Sequence, residues 1–108
     1  ILKVKDLPLD DRPREKLLLR GTASLTDAEL LAILIRTGTK GHSVVEIAQM
    51  LISEHKDLAN VALLSVNELQ KIKGIGKDKA VTLVAAFGIA KRVQMQNRWE
   101  NKTKISPP

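Results

Sequence analysis

The sequence contains no cysteine and no tyrosine, and among its 108 residues the only aromatics are Phe87 and Trp99. Without cysteine there is no disulfide framework and no thiolate metal site, and the two histidines, His42 and His55, lack ligand-like spacing. So few aromatics argue against a platform for stacking unpaired bases. No apolar run approaches membrane-spanning length, and the start at Ile1 shows no charged-then-apolar signal peptide. The expectation is a cytoplasmic protein with no cofactor, no metal and no membrane partner. Because native chains normally begin with Met, Ile1 suggests a piece of something longer.

Hydrophobic residues make up 44% of the chain, almost all of them Val, Ile, Leu and Ala. That is enough for one modest core and too little chain for two. The net charge of +6 is unevenly spread: residues 1–70 carry nine Lys and Arg against ten Asp and Glu, while residues 71–108 carry nine against two. A polyanion near the second segment accounts for this asymmetry, as does a merely basic linker and surface; nucleic acid is the favoured partner.

Residues 69–83 are the organising stretch. Ser65 and Glu68 form a capping box, Leu69 and Ile72 continue an apolar stripe, and a short helix is expected from about Val66. Lys73-Gly74-Ile75-Gly76 then reverses the chain, with Ile75 able to plug the turn into the core. A second helix follows, with Asp78 in its first turn and Ala80, Leu83, Val84 and Phe87 on one face. The pattern resembles the helix-hairpin-helix signature of proteins that hold nucleic-acid backbones. Its chemistry is direct: helix-start N–H groups lack partners, Gly74 and Gly76 let an anion approach, and Lys73, Lys77 and Lys79 attract it. The competing reading is a helical corner with two turn glycines and a solvated basic rim.

Elsewhere, residues 1–11 read as an extended arm with little regular structure. Pro13 opens a helix through Arg20, ended by Gly21, with Leu17 and Leu18 inward; Arg12, Arg14, Lys16 and Arg20 read better as a solvated face than as a binding stripe. Thr26 and Glu29 cap a central helix carrying Leu30, Leu31, Ile33, Leu34 and Ile35 to about Arg36. A loop over residues 36–42 leads to a third capping box, Ser43 and Glu46, and a helix with Val44, Ile47, Ala48, Leu51 and Ile52 inward. Residues 57–64 make a short helical turn with Leu58, Val61 and Leu64 inward. The last helix, residues 77–94, is apolar on most sides and is expected to be the most buried element. Polar and basic residues 94–108 have linker composition, with a helical extension as far as Trp99.

Thr26, Glu29, Leu30 and Ile33 recur as Ser65, Glu68, Leu69 and Ile72 at a constant offset of 39. Gly38-Thr39-Lys40-Gly41 is therefore either a second backbone-binding hairpin or, the favoured reading, a connector packing its symmetric partner. Arg36, Lys40 and Ser43 lie within reach of a phosphate if it binds. The fold expected is all-α: a compact bundle of about five helices containing one helix-hairpin-helix motif and a degenerate second copy.

The strings Val4-Lys5-Asp6-Leu7-Pro8, Asp11-Arg12-Pro13-Arg14-Glu15-Lys16-Leu17, Leu25-Thr26-Asp27-Ala28-Glu29-Leu30-Leu31-Ala32-Ile33-Leu34, Arg36-Thr37-Gly38-Thr39-Lys40-Gly41 and Lys71-Ile72-Lys73-Gly74-Ile75-Gly76 together resemble the N-terminal region of the bacterial RadC family. That resemblance implies a helix-hairpin-helix domain over residues 1–93 and a linker toward a JAB/MPN-type domain, which Ile105-Ser106-Pro107 resembles the start of. The histidine-rich metal motif of that second domain lies outside this sequence.

The expected function is non-catalytic, sequence-independent binding of DNA, as duplex, through the backbone amides at residues 74–77 with Lys73, Lys77, Lys79, and further along Lys91 and Arg92. The alternative is a protein-interaction module that orients the second domain. Glycosylases and lyases with a similar hairpin place a lysine nucleophile two residues after the second glycine and an aspartate downstream; here Asp78 holds that position and the only later acid is Glu100. Catalysis by this chain alone is not expected.

Overall fold

The computed structural model describes residues 3–7 and 11–103. Six α-helices lie among them: α1 (Pro13–Arg20), α2 (Asp27–Ile35), α3 (Val44–His55), α4 (Leu58–Val61), α5 (Val66–Leu69) and α6 (Lys77–Thr103). Short 3-10 turns at Val4–Asp6 and Thr22–Ser24 precede α1 and α2. The fold is all-α, as the periodicity implies.

Local chemistry sets the helix starts. Thr26, Ser43 and Ser65 each form a complete capping box with Glu29, Glu46 and Glu68, and Asp57 accepts from the Asn60 N–H at 2.8 Å. Each such cap stabilises its helix by roughly 1 kcal/mol. The fully buried side chains, Ile35, Ile47, Leu51, Val61, Leu69 and Leu83, contribute on the order of 2 kcal/mol apiece. Burial therefore holds the fold, and the caps decide where its helices begin. All six belong to one cluster gathered where α2 packs on α3 and on α6, with α5 against α6.

Four expectations are corrected. The final helix is not the most buried element. Ala80 and Leu83 are buried and Val84 and Phe87 pack against the core, yet every residue from Gly88 to Trp99 is exposed. The reason is length: at about 1.5 Å per residue α6 outruns the elements that cover its first three turns, and the molecule is 60 Å long but 34 × 23 Å in section. The same helix runs past Gln94 and Trp99 to Thr103. In α1, Pro13 is the buried residue and Leu17 half-buried, while Leu18 is 82% exposed, because only the side of α1 facing α2 is covered. The arm is not extended throughout: Val4–Asp6 forms a turn tied to α1 by Arg12, whose guanidinium donates to the carbonyls of Lys5 (2.7 Å) and Leu7 (3.3 Å). Arm residues 1–2 and 8–10, and the domain start inferred at residues 105–107, fall outside the described residues.

The segments with the 39-residue offset lie in two helix–turn–helix units, α2–α3 and α5–α6. Their first helices differ, nine residues in α2 against four in α5, and their second helices differ more, 12 in α3 against 27 in α6, while connections 36–43 and 70–76 differ by one residue. The units meet at Gly74. Its φ is +95°, and a Cβ there would stand 2.6 Å from Ile47 Cδ1 and 3.3 Å from Thr39 Cγ2. Lys16 adds a link between α1 and α2, its Nζ 3.1 Å from Glu29 Oε2.

Two outcomes follow for stability. Gly74→Ala should cost roughly 2–4 kcal/mol in urea unfolding, from positive φ and overpacking together. Gly76→Ala, with open space around it, should stay within about 0.5 kcal/mol; equal effects would contradict the packing described. The second outcome concerns pH. Burial acts to raise the Glu29 pKa, but the Thr26 N–H and Lys16 outweigh it and lower it from the ordinary 4.5. The Ser43 and Ser65 backbone N–H groups lower Glu46 and Glu68 likewise. Groups depressed in the native state stabilise it above the unfolded value and lose that contribution as pH falls through the native one. The urea midpoint should thus drop below about pH 4.5, and a midpoint flat from pH 6 to 3 would rule out a role for the boxes.

Candidate nucleic-acid interface

The turn between α5 and α6 is built by successive short bonds. The N–H groups of Gln70, Lys71 and Ile72 donate to Val66, Glu68 and Leu69, and Ile75 N–H returns to the Ile72 carbonyl at 3.0 Å. Ile75 is buried at 3% exposure, so its side chain anchors the turn and only its main chain is available to a ligand. The first intrahelical bond of α6 runs from Ala80 N–H to the Gly76 carbonyl at 3.0 Å. Lys77, Asp78 and Lys79 therefore stand in the first turn, where N–H groups lack intrahelical partners. Gly76 has no side chain to cap them, unlike Thr26, Ser43 and Ser65 at α2, α3 and α5.

The two glycines differ. The space beside Gly74 is filled by Ile47 and Thr39, so its missing side chain serves packing. No atom stands within 4 Å of a Cβ built on Gly76, and this is where main chain can be approached. Lys73 and Lys77 are exposed beside it, with Asp78 the one carboxylate in the turn. Lys79 points elsewhere: its Nζ donates to the Thr37 carbonyl at 2.6 Å and to Thr37 Oγ1 at 2.9 Å. One of its three donors is left for a ligand. Lys91 and Arg92 are exposed, about four turns along α6.

The first turn is organised differently. Thr39 and His42 exchange both backbone hydrogen bonds at 3.1 Å, leaving Lys40 and Gly41 as an exposed two-residue tip with Gly41 at φ +94°. Gly38 is packed, since a Cβ there would run into the His42 carbonyl. Ser43 is buried and spends its hydroxyl on the Glu46 N–H. Just before this loop Arg36 adopts φ 78°, ψ −54°, with Thr37 N–H donating to the Ile35 carbonyl at 3.0 Å. This is the classic γ-turn, a strained conformation for a residue other than glycine. Nothing local in the sequence signals it, and nothing signals the Lys79–Thr37 bonds across 42 residues. Among the described residues no group of three or more His, Cys, Asp or Glu converges as a metal site. No helix among them is long and apolar enough to cross a membrane.

A family model described as UPF0758 N-terminal matches residues 4–81, from the arm through the start of α6. The chain belongs to the UPF0758 family. It is similar to the UPF0758 protein of Staphylococcus carnosus (strain TM300), 48% identical over 107 residues that cover 99% of this chain and 47% of the relative. The UPF0758 protein of Geobacillus thermodenitrificans (strain NG80-2) is also 48% identical, over 97% of this chain and 46% of its own. That of Staphylococcus aureus (strain Newman) is 44% identical over 99% and 46%. This UPF0758 chain thus spans about half the length of the curated relatives it matches. No solved structure matches it.

The Lys79–Thr37 bonds make a separable prediction. Lys79→Met should lower stability by about 0.5–1 kcal/mol, solvent screening holding an exposed charged contact to the low end of the hydrogen-bond range, and broaden the amide resonances of residues 36–38. Unchanged stability with reduced DNA affinity would instead make Lys79 a ligand contact.

Proposed function

We propose that this UPF0758 domain is the DNA-binding, helix-hairpin-helix part of a RadC-like cytoplasmic protein, holding the backbone of duplex DNA without reading its sequence and without catalysing a reaction. The observation that carries this reading is the uncapped start of α6: main chain open at Gly76, unpartnered N–H groups after it, and Lys73 and Lys77 exposed alongside. A phosphate oxygen satisfies those donors and the helix dipole together. Because phosphates are the same at every base pair, such contacts position the domain and carry no sequence information. The +6 charge, concentrated after residue 70, adds attraction at longer range.

A second reading, an interaction module that orients the other half of the full-length protein, is favoured by one feature. The projecting part of α6 exposes Ile89, Val93, Met95 and Trp99. Binding of that kind depends little on salt.

The test is fluorescence anisotropy with labelled duplex at several salt concentrations. Lys73→Glu with Lys77→Glu leaves the Gly74 packing and the Lys79–Thr37 bonds in place. It should weaken binding at least ten-fold and lower the magnitude of the log K against log salt slope by roughly 2. Binding that is absent at low salt, or indifferent to both substitutions, would move the function to protein partners.

A further inference from the structure

The sequence up to residue 70 is slightly acidic overall, yet the fold gathers cations from it at one place. An open cleft of about 560 Å³ lies between the N-terminal turn and the first loop, lined by Lys5, Arg36, Lys40, Gly41 and His42 among others. No carboxylate occurs among the described side chains lining it. The nearby Glu46 is committed to the Ser43 N–H at 2.9 Å, in the cap of α3. Lys5, Arg36 and Lys40 are all exposed.

The cleft is held together by specific bonds. Arg12 grips the carbonyl of Lys5 and so fixes the arm that forms one wall. The γ-turn at Arg36 forms the other, and it is braced by the Lys79 ammonium on Thr37. At the tip, the Thr39–His42 pair uses its own N–H groups and leaves those of Lys40 and Gly41 outside the pairing. Positive side chains and open main-chain donors, with no carboxylate among the described lining side chains, suit the anionic oxygens of a phosphate group. The volume is that of a ligand-sized cleft rather than a water site.

We propose that this cleft is a second phosphate-binding site, distinct from the α5–α6 turn and contributed by the arm and the first loop together. Arg36 and Thr37 also border a groove lined by Asp78 and Lys79, in the first turn of α6. A duplex on that turn that also reached the cleft would supply a further backbone phosphate. This source of phosphate rests on the DNA reading; the site itself does not.

The experiment has two arms on the 108-residue domain. In the first, inorganic pyrophosphate is titrated at low salt and followed by amide NMR. Saturable shifts at Lys40, Gly41 and His42, lost in Lys5→Gln with Arg36→Gly and Lys40→Gln, are expected. Glycine suits the positive φ at residue 36, and Lys5→Gln with Lys40→Gln alone serves if the triple variant fails to fold. Silent cleft amides would overturn the site. In the second arm the triple variant should bind duplex about ten-fold more weakly, with a salt slope smaller by roughly 2–3. Pyrophosphate shifts with unchanged duplex binding support the site and assign it to a free phosphorylated ligand. Silent amides with duplex binding lost only in Lys73→Glu/Lys77→Glu would reject the cleft and leave the proposed function standing. Cleft shifts in a domain that binds no duplex would do the reverse.

Discussion

The close approach of Gly74 to Ile47 and Thr39 is the constraint on which the other features depend. Ile47 is wholly buried in α3, and Thr39 belongs to the paired stem of the first turn. Bringing the second turn against both fixes how the two helix–turn–helix units meet. Ile75 then inserts into the shared core, and α6 starts two residues later, where Lys79 closes the junction on Thr37. A side chain at residue 74 would have to displace the end of Ile47 and crowd Thr39 at this junction.

This junction also assigns work among the shared residue types of the two turns. Glycines and lysines recur in both, but they do different things. Gly74 and Gly38 are packing residues, whereas Gly76 and Gly41 leave main chain open. Lys79 braces a neighbouring turn, and Lys73, Lys77 and Lys40 keep their charges in solvent. Arg12 and Lys16, which look like surface cations, are internal ties to the arm and to α2. Only the free cations can contribute counterion release on meeting a polyanion without breaking a native contact.

The architecture is asymmetric along its length. One end is a core in which α2 packs on both α3 and α6; the other is a helix leaving the body alone. In a family whose curated members are about twice as long as this chain, a projecting helix with Ile89 and Trp99 exposed is a second surface, independent of the turns. Phosphate contact near the body and protein contact along the helix are compatible in one molecule, since they use different residues.

How much of this was legible beforehand follows from the range of each interaction. The sequence by itself determined the capping boxes, the helix starts, the all-α class and the Ile75 plug, because these are bonds and apolar spacings within a few residues. It also marked Lys73, Gly76 and Lys77 as a charged, open turn. Burial of α6 was misread because apolar spacing reports which faces can be buried, not whether a neighbour reaches them. Only the tertiary structure decided that Leu18 faces solvent, that Gly74 is a packing residue, that Lys79 holds Thr37 and that Lys5 joins Arg36 and Lys40 around one cleft. Each of those depends on residues tens of positions apart, and such distances are set by how the helices pack rather than by any pattern along the chain.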